Sequence, residues 1–178
     1  MKTLSMMGAL TLGLGALAVG DEHHSSASAC PHHTEVRKTA SPEAHAQGVD
    51  RRGDEAMGFS HQSTTHHFLL RKDGGAIEVS VNDPGDAASV TRIRTHLRHI
   101  AKAFAAGDFT LPGIIHDRVP HGVETMKAQR NRVQYAFEEK PQGGAVRLRT
   151  EDPAVLRAIH EFLRFQIADH RTGDPTVP

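Results

Sequence analysis

Apolar and polar side chains alternate from Thr64 to Leu70 and again through Ile77, Val79 and Val81, the period of a half-buried strand. Asp73-Gly74-Gly75 lies between the two runs, and its glycines offer the positive φ of a tight turn, so the stretch predicts a β-hairpin. Asn82-Asp83-Pro84 stops it. Val90, Ile93, Leu97, Ile100 and Phe104 then recur at three and four, one face of a helix, with Asp86 or Ser89 as its N-terminal cap and Gly107 as its stop. A connector with two breakers follows from Asp108 to His116, and then a short helical stretch from about Val123 to Arg130. Val133, Tyr135 and Phe137 alternate next, Pro141-Gln142-Gly143-Gly144 turns the chain, and Val146 and Leu148 return. Asp152-Pro153 opens a last helix with Val155, Ile159, Phe162, Leu163 and Ile167 on one side.

The second set of elements repeats the first. At a constant offset of 69 positions, Phe68 matches Phe137, Gly74-Gly75 matches Gly143-Gly144, Ile77 matches Val146, Val79 matches Leu148, and Asp83-Pro84 matches Asp152-Pro153. After a three-residue deletion the offset is 66, pairing Ile93 with Ile159, Leu97-Arg98 with Leu163-Arg164, and Gly107-Asp108 with Gly173-Asp174. Two ββα units that each expose an apolar strand face join most economically into one sheet. The fold class expected is therefore α+β, with two pseudo-repeated ββα units forming a four-stranded antiparallel sheet and both long helices on one face, over about residues 58–172. Glu78, Ser80, Arg147 and Arg149 belong to the other face, which should be wet or form a polar interface. With seven Phe, one Tyr and no Trp the core is aliphatic and thin, so a homodimer would add stability.

The ends carry a different composition. Met1-Lys2, an apolar run from Leu4 to Val19, and small residues up to Gly20 have the layout of a secretory signal peptide over residues 1–20, which points to export to a periplasm or the outside. That run is shorter than the roughly 20 residues of a membrane span, so no integral membrane segment is expected after its removal. Residues 21–57 are rich in Ser, Ala, His and Gly with few large apolar side chains, and are expected to be a disordered linker; 173–178 are expected to be a flexible tail. Cys30 is the only cysteine, which excludes an intramolecular disulfide. A lipid anchor on it is not expected, because Asp21, Glu22, His23 and His24 separate it from the apolar run. The balance of 21 basic against 21 acidic residues argues against a nucleic-acid partner.

Candidate chemistry rests on histidine, of which the chain has 14 in 178 residues. Imidazole is the common ligand of copper, zinc, nickel and iron. His66 shares a strand face with Phe68 and Leu70 and stands where the second unit has Tyr135, so it should point inward. His96 lies at the margin of the first long helix's apolar stripe, and His99 lies nearer solvent. His160 takes the opposite margin of the second helix, its counterpart in the first unit being Arg94. The connector, without a counterpart in either unit, brings His116, His121 and Met126, and His with Met is a soft donor set that favours copper. The chain has no Gly-x-Ser-x-Gly elbow, no phosphate-cradling glycine loop, no His-Glu-x-x-His and no Cys-x-x-Cys-His.

The expectation is an exported protein that binds a transition metal ion, copper before zinc, through His66, His96, His116, His121, Met126 and His160, in metal handling. Two alternatives remain open at this point: a metal- or haem-dependent enzyme with a free coordination position near His66 and His116, and a non-catalytic structural or partner-binding module.

Overall fold

The computed structural model describes residues 41–178. The expected leader, the linker up to residue 40 and Cys30 lie outside the described residues. The chain runs α1 (Pro42–Met57), β1 (Thr64–Arg71), β2 (Gly74–Val81), α2 (Ala87–Ala106), α3 (Thr110–His116), α4 (Val123–Ala128), a 3-10 turn at Arg130–Arg132, β3 (Gln134–Lys140), β4 (Gly143–Arg149) and α5 (Pro153–His170). The four strands form one antiparallel sheet in the order β1-β2-β4-β3 with helices packed on it, the α+β architecture that the periodicities imply. No described helix is long and apolar enough to cross a membrane.

The caps stand where the sequence signals place them. The Asp86 carboxylate accepts from the amide of Ser89, and that of Asp152 from the amides of Ala154 and Val155, satisfying amides that a first helical turn leaves without intrahelical partners. Gly107 ends α2 in the left-handed region at φ 80°. Ile93, Leu97, Phe104, Ile159, Phe162 and Leu163 are buried between the helices and the sheet with Ile77, Val146 and Leu148.

Sheet register and helix placement are compatible with a doubled unit. Ile77 of β2 pairs with Val146 of β4, its own counterpart, and the register runs symmetrically on either side, from Gly74 opposite Arg149 to Ser80 opposite Gly143. Each long helix lies mainly over the hairpin of the other unit, α2 over β3 and β4, α5 over β1 and β2. A side chain on Gly75 would place its Cβ 2.2 Å from Leu163 of α5, and one on Gly144 would lie 3.2 Å from Leu97 of α2. The paired glycines are thus explained by close approach, and they begin the return strands. The turns themselves are Lys72-Asp73 and Pro141-Gln142, two residues earlier than the glycines suggest.

Other expectations are corrected. Residues 42–57, assigned to a disordered linker, form helix α1, which packs on α3, α5 and α2. Its buried positions are Ala46, Gly48, Val49 and Gly53, and it is fastened by polar contacts: His45 to Asp169 at 3.0 Å and Arg52 Nε donating to the carbonyl of Ile115 at 2.7 Å. Small side chains and ion pairs leave no hydrophobic stripe to read. Thr110–His116, expected as irregular connector, is helical, because Pro112 falls in a first turn where its missing N–H has no partner to lose. Arg147, expected on a wet face, is buried: opposite the small Ala76 and Ala136, its guanidinium donates to the Gly75 carbonyl and reaches Asp73. The last residues fold back on β1, where Asp174 accepts from the Phe68 amide at 2.8 Å and from His67 at 2.7 Å.

Candidate functional site

A small cavity of about 70 Å³ lies between the sheet and helices α2, α3 and α5, with Met57 at the end of α1 also on its wall. Its apolar lining includes Phe68, Ile77, Val79, Leu97, Phe104, Ile115 and Phe162. The polar lining is four imidazoles and one amide: His66 of β1, His96 of α2, His116 of α3, and Gln166 and His170 of α5. No carboxylate is part of the wall. The space suits an ion or a water-sized molecule and is well below the roughly 300–1,000 Å³ of pockets for larger ligands, haem among them.

The imidazoles are packed among aromatic rings. His66 and His170 lie parallel, 2° apart in plane and 6.1 Å between centres, while His116 meets His170 edge to face at 4.9 Å. Phe59, just past the end of α1, stacks on His66 at 6.2 Å and meets His96 edge-on at 5.8 Å. Burial depresses the basicity of the whole group. It is the main cause of pulling His66 down to about 4, followed by the positive potential of His61. His96 is likewise held at about 4 by burial and then by His66 and His99. His170 is held at about 3 by burial and then by His116 and His66. All three are neutral at pH 7, with lone pairs free to accept a proton or a metal.

His116 differs in having partners. Its Nδ1 lies 2.5 Å from the Asp169 carboxylate and its Nε2 lies 2.9 Å from the Gln166 side-chain amide. Burial lowers its pKa although the Asp169 hydrogen bond pulls the other way. Burial alone would raise the Asp169 carboxyl, but hydrogen bonds from His116, His45 and Arg118 bring it below the ordinary carboxylate value. His116 thus faces acceptors at both ring nitrogens, the Asp169 carboxylate at Nδ1 and the Gln166 side-chain oxygen at Nε2. Asp169 thereby ties α1, the connector and α5 together at one carboxylate.

Three buried polar atoms have no hydrogen-bond partner among the described residues: His66 Nε2, Gln166 Nε2 and the Tyr135 hydroxyl. The first two belong to residues of the cavity wall. An unpaired imidazole nitrogen in an apolar wall costs free energy unless something meets it.

Of the six residues singled out from sequence, the fold brings His66, His96 and His116 to the cavity and keeps three away. His160 is buried with Nε2 at 2.9 Å from the Arg71 carbonyl and 3.1 Å from that of Gly74, closing the β1–β2 hairpin. Arg94, its counterpart, donates to the carbonyls of Lys140 and Gly143 at the other hairpin, so the two residues hold equivalent places. Met126 is fully buried in the core, and His121 is exposed beside Phe165. Sequence reasoning missed Met57, Gln166 and His170. The last two continue the three-and-four spacing of Ile159, Phe162, Leu163 and Ile167, a signal that was legible but was read only through its apolar members.

The same repeat offsets show where the two halves differ. His66 stands in the place of Tyr135, His96 in that of Phe162, and His170 in that of Phe104. In the second half Phe104 and Tyr135 meet edge to face at 6.0 Å and Phe104 meets Phe162 at 5.9 Å. Two of these aromatic rings, Phe104 and Phe162, also line the cavity, so the imidazoles and their aromatic counterparts meet at its wall.

Fold and site together define a two-layer α+β domain with a neutral, imidazole-lined cavity. No family model, no curated protein and no solved structure matches the chain. Among the described residues no group of three or more His, Cys, Asp or Glu side chains is arranged to hold a metal ion.

Proposed function

We propose that the protein binds a transition metal ion, copper before zinc, at this imidazole-lined cavity, with a role in metal handling. The observation that carries the reading is the replacement of an aromatic trio by three neutral imidazoles around one cavity, with His66 Nε2 left without a partner. A core that needed only packing is served by the aromatic rings of the other half. Imidazole in place of an aromatic ring costs burial energy, and a bound ion offsets that cost.

The surroundings favour a soft monovalent ion. Desolvation cost rises steeply with charge, and the wall offers no carboxylate to neutralise a divalent ion. Cu(I) accepts imidazole and thioether donors and a low coordination number, which matters where no complete polydentate cluster stands ready.

The test uses the full chain with the histidines, cysteine and internal methionines of residues 1–40 substituted (His23, His24, His32 and His33→Ala, Cys30→Ser, Met6 and Met7→Leu). Competition with a colorimetric chelator should show about one equivalent of Cu(I) bound. The triple variant His66→Tyr, His96→Phe, His170→Phe, which copies the other half, should fold and lose that binding. Uptake below about a tenth of an equivalent by the parent, or equal uptake by the variant, would overturn the proposal.

A further inference from the structure

We infer that the open edge of β3 is an interface for a second copy of this chain, the two β3 strands pairing antiparallel about a twofold axis at Phe137. The edges of the sheet are β1 and β3, and the chain treats them differently. Phe68 and Phe137 hold the same register, Phe68 opposite Ile77 and Phe137 opposite Val146. The Phe68 amide points off the sheet, where the Asp174 carboxylate accepts from it at 2.8 Å, and Asp174 is itself held by Thr172 and His67. By the repeat offset the counterpart of Asp174 is Asp108. Asp108 is used elsewhere, accepting from the Thr110 amide at 2.9 Å as the chain runs on into α3. Among the described residues no side chain or loop accepts from the Phe137 amide. Alternation along the strand sends the amides and carbonyls of Tyr135, Phe137 and Glu139 off this same edge. β1 buries Phe68, whereas no residue of β3 is fully buried.

The charges along β3 select a copy of itself as the partner. Gln134-Tyr135-Ala136-Phe137 is uncharged, and Glu138-Glu139-Lys140 carries every charge of the strand. Antiparallel pairing centred on Phe137 sets the charged end of each copy against the uncharged end of the other, Glu138 opposite Ala136, Glu139 opposite Tyr135 and Lys140 opposite Gln134. No like charges meet. Parallel pairing in register would instead stack Glu138 and Glu139 on themselves, so the charged end blocks indiscriminate edge pairing and leaves this register open. The monomer already joins its halves in the same manner, with Ile77 of β2 opposite its own counterpart Val146 of β4. Because Asp174 occupies the β1 edge, growth stops at two copies and does not run on into a fibre. About six main-chain hydrogen bonds cross such an edge, which makes a small interface and a weak dimer.

Sedimentation velocity on the full chain tests this, with a chelator present so that no histidine-bound metal bridges two copies. Mean mass should rise from monomer towards dimer between about 5 µM and about 1 mM. At the upper end of that range amide hydrogen exchange should slow at Tyr135, Phe137 and Glu139 and stay unchanged along β1. Gln134 is exposed, so its substitution leaves the monomer fold intact. Gln134→Glu, which meets Lys140 across the axis, should tighten the dimer roughly 2–10-fold, and Gln134→Lys should weaken it by a similar factor. A monomer at every concentration, association whose protection lies on another surface, or a dimerisation constant that moves the same way in both variants would each overturn the inference. None of these readouts involves a metal, so they stand or fall apart from the copper reading.

Discussion

His66 and His170 face each other as parallel rings 6.1 Å apart, in the place that Tyr135 and Phe104 occupy in the other half of the domain. The two pairs come from equivalent strand and helix positions, each helix reaching across to the other unit's hairpin. Substituting imidazole for phenyl and phenol leaves shape nearly intact and adds lone pairs in a dry setting, and it leaves a marked dependence on acid.

That dependence has a definite sign in the metal-free protein. The folded chain holds His66 and His96 at about 4 and His170 at about 3, against roughly 6.5 when unfolded. Below about pH 6.5 the unfolded chain binds protons that the folded chain refuses, so the contribution of these imidazoles to stability falls as the pH drops towards 4 and changes little below 3. The total loss by pH 4 should be on the order of several kcal/mol, the sites being coupled and not additive. Urea midpoints between pH 7.5 and 4.5, above the range of most carboxylates, should fall steadily, and the triple aromatic variant should flatten the curve. A flat curve for the unmodified chain would show that these imidazoles titrate freely.

His160 should prove structural. His160→Ala removes the donor that meets the carbonyls of Arg71 and Gly74, at a cost of about 2–3 kcal/mol with lost packing included. Cu(I) affinity should be unchanged. His160→Arg, the residue type at its counterpart Arg94, should recover more stability than His160→Gln, read as the urea midpoint. Loss of copper binding in a folded His160→Ala protein would place this residue in the site.

Asp169 is the fastening point of α1. Asp169→Asn weakens its contacts with His116, His45 and Arg118, and should lower stability by about 1–3 kcal/mol. Amide exchange should accelerate most across residues 42–57, ahead of the sheet, since α1 buries few large apolar side chains. Uniform acceleration over the whole domain would mean that α1 does not open separately.

The glycines that begin the return strands should respond alike. A Cβ on Gly74 would lie 2.0 Å from the Leu148 carbonyl oxygen, and one on Gly143 would lie 2.0 Å from that of Val79. Gly74→Ala and Gly143→Ala should each cost more than about 1 kcal/mol by thermal or urea unfolding, and by similar amounts. A large inequality would speak against equivalent roles in the two halves.

Much of this molecule is legible along the chain. Alternation at Thr64–Leu70 and Val133–Phe137, three-and-four spacing in α2 and α5, and the doubled Gly-Gly and Asp-Pro signals together dictate hairpins, helices and the sheet that joins them. These are local facts, because period and capping depend on neighbours within one or two turns. The inward aim of His66 was readable for the same reason.

Tertiary structure alone decided what each inward face meets. Nothing near His170 in sequence reports that it lies against His66, more than a hundred positions away, because spacing tells which side of a helix is buried and not which strand it covers. The docking of α1 was hidden for a related reason: glycine, alanine and valine against α3 and α5, fastened by His45 on Asp169, carry little hydrophobic signal until the partner surfaces exist. Packing between helices and sheet brought ring positions far apart along the chain together at one cavity.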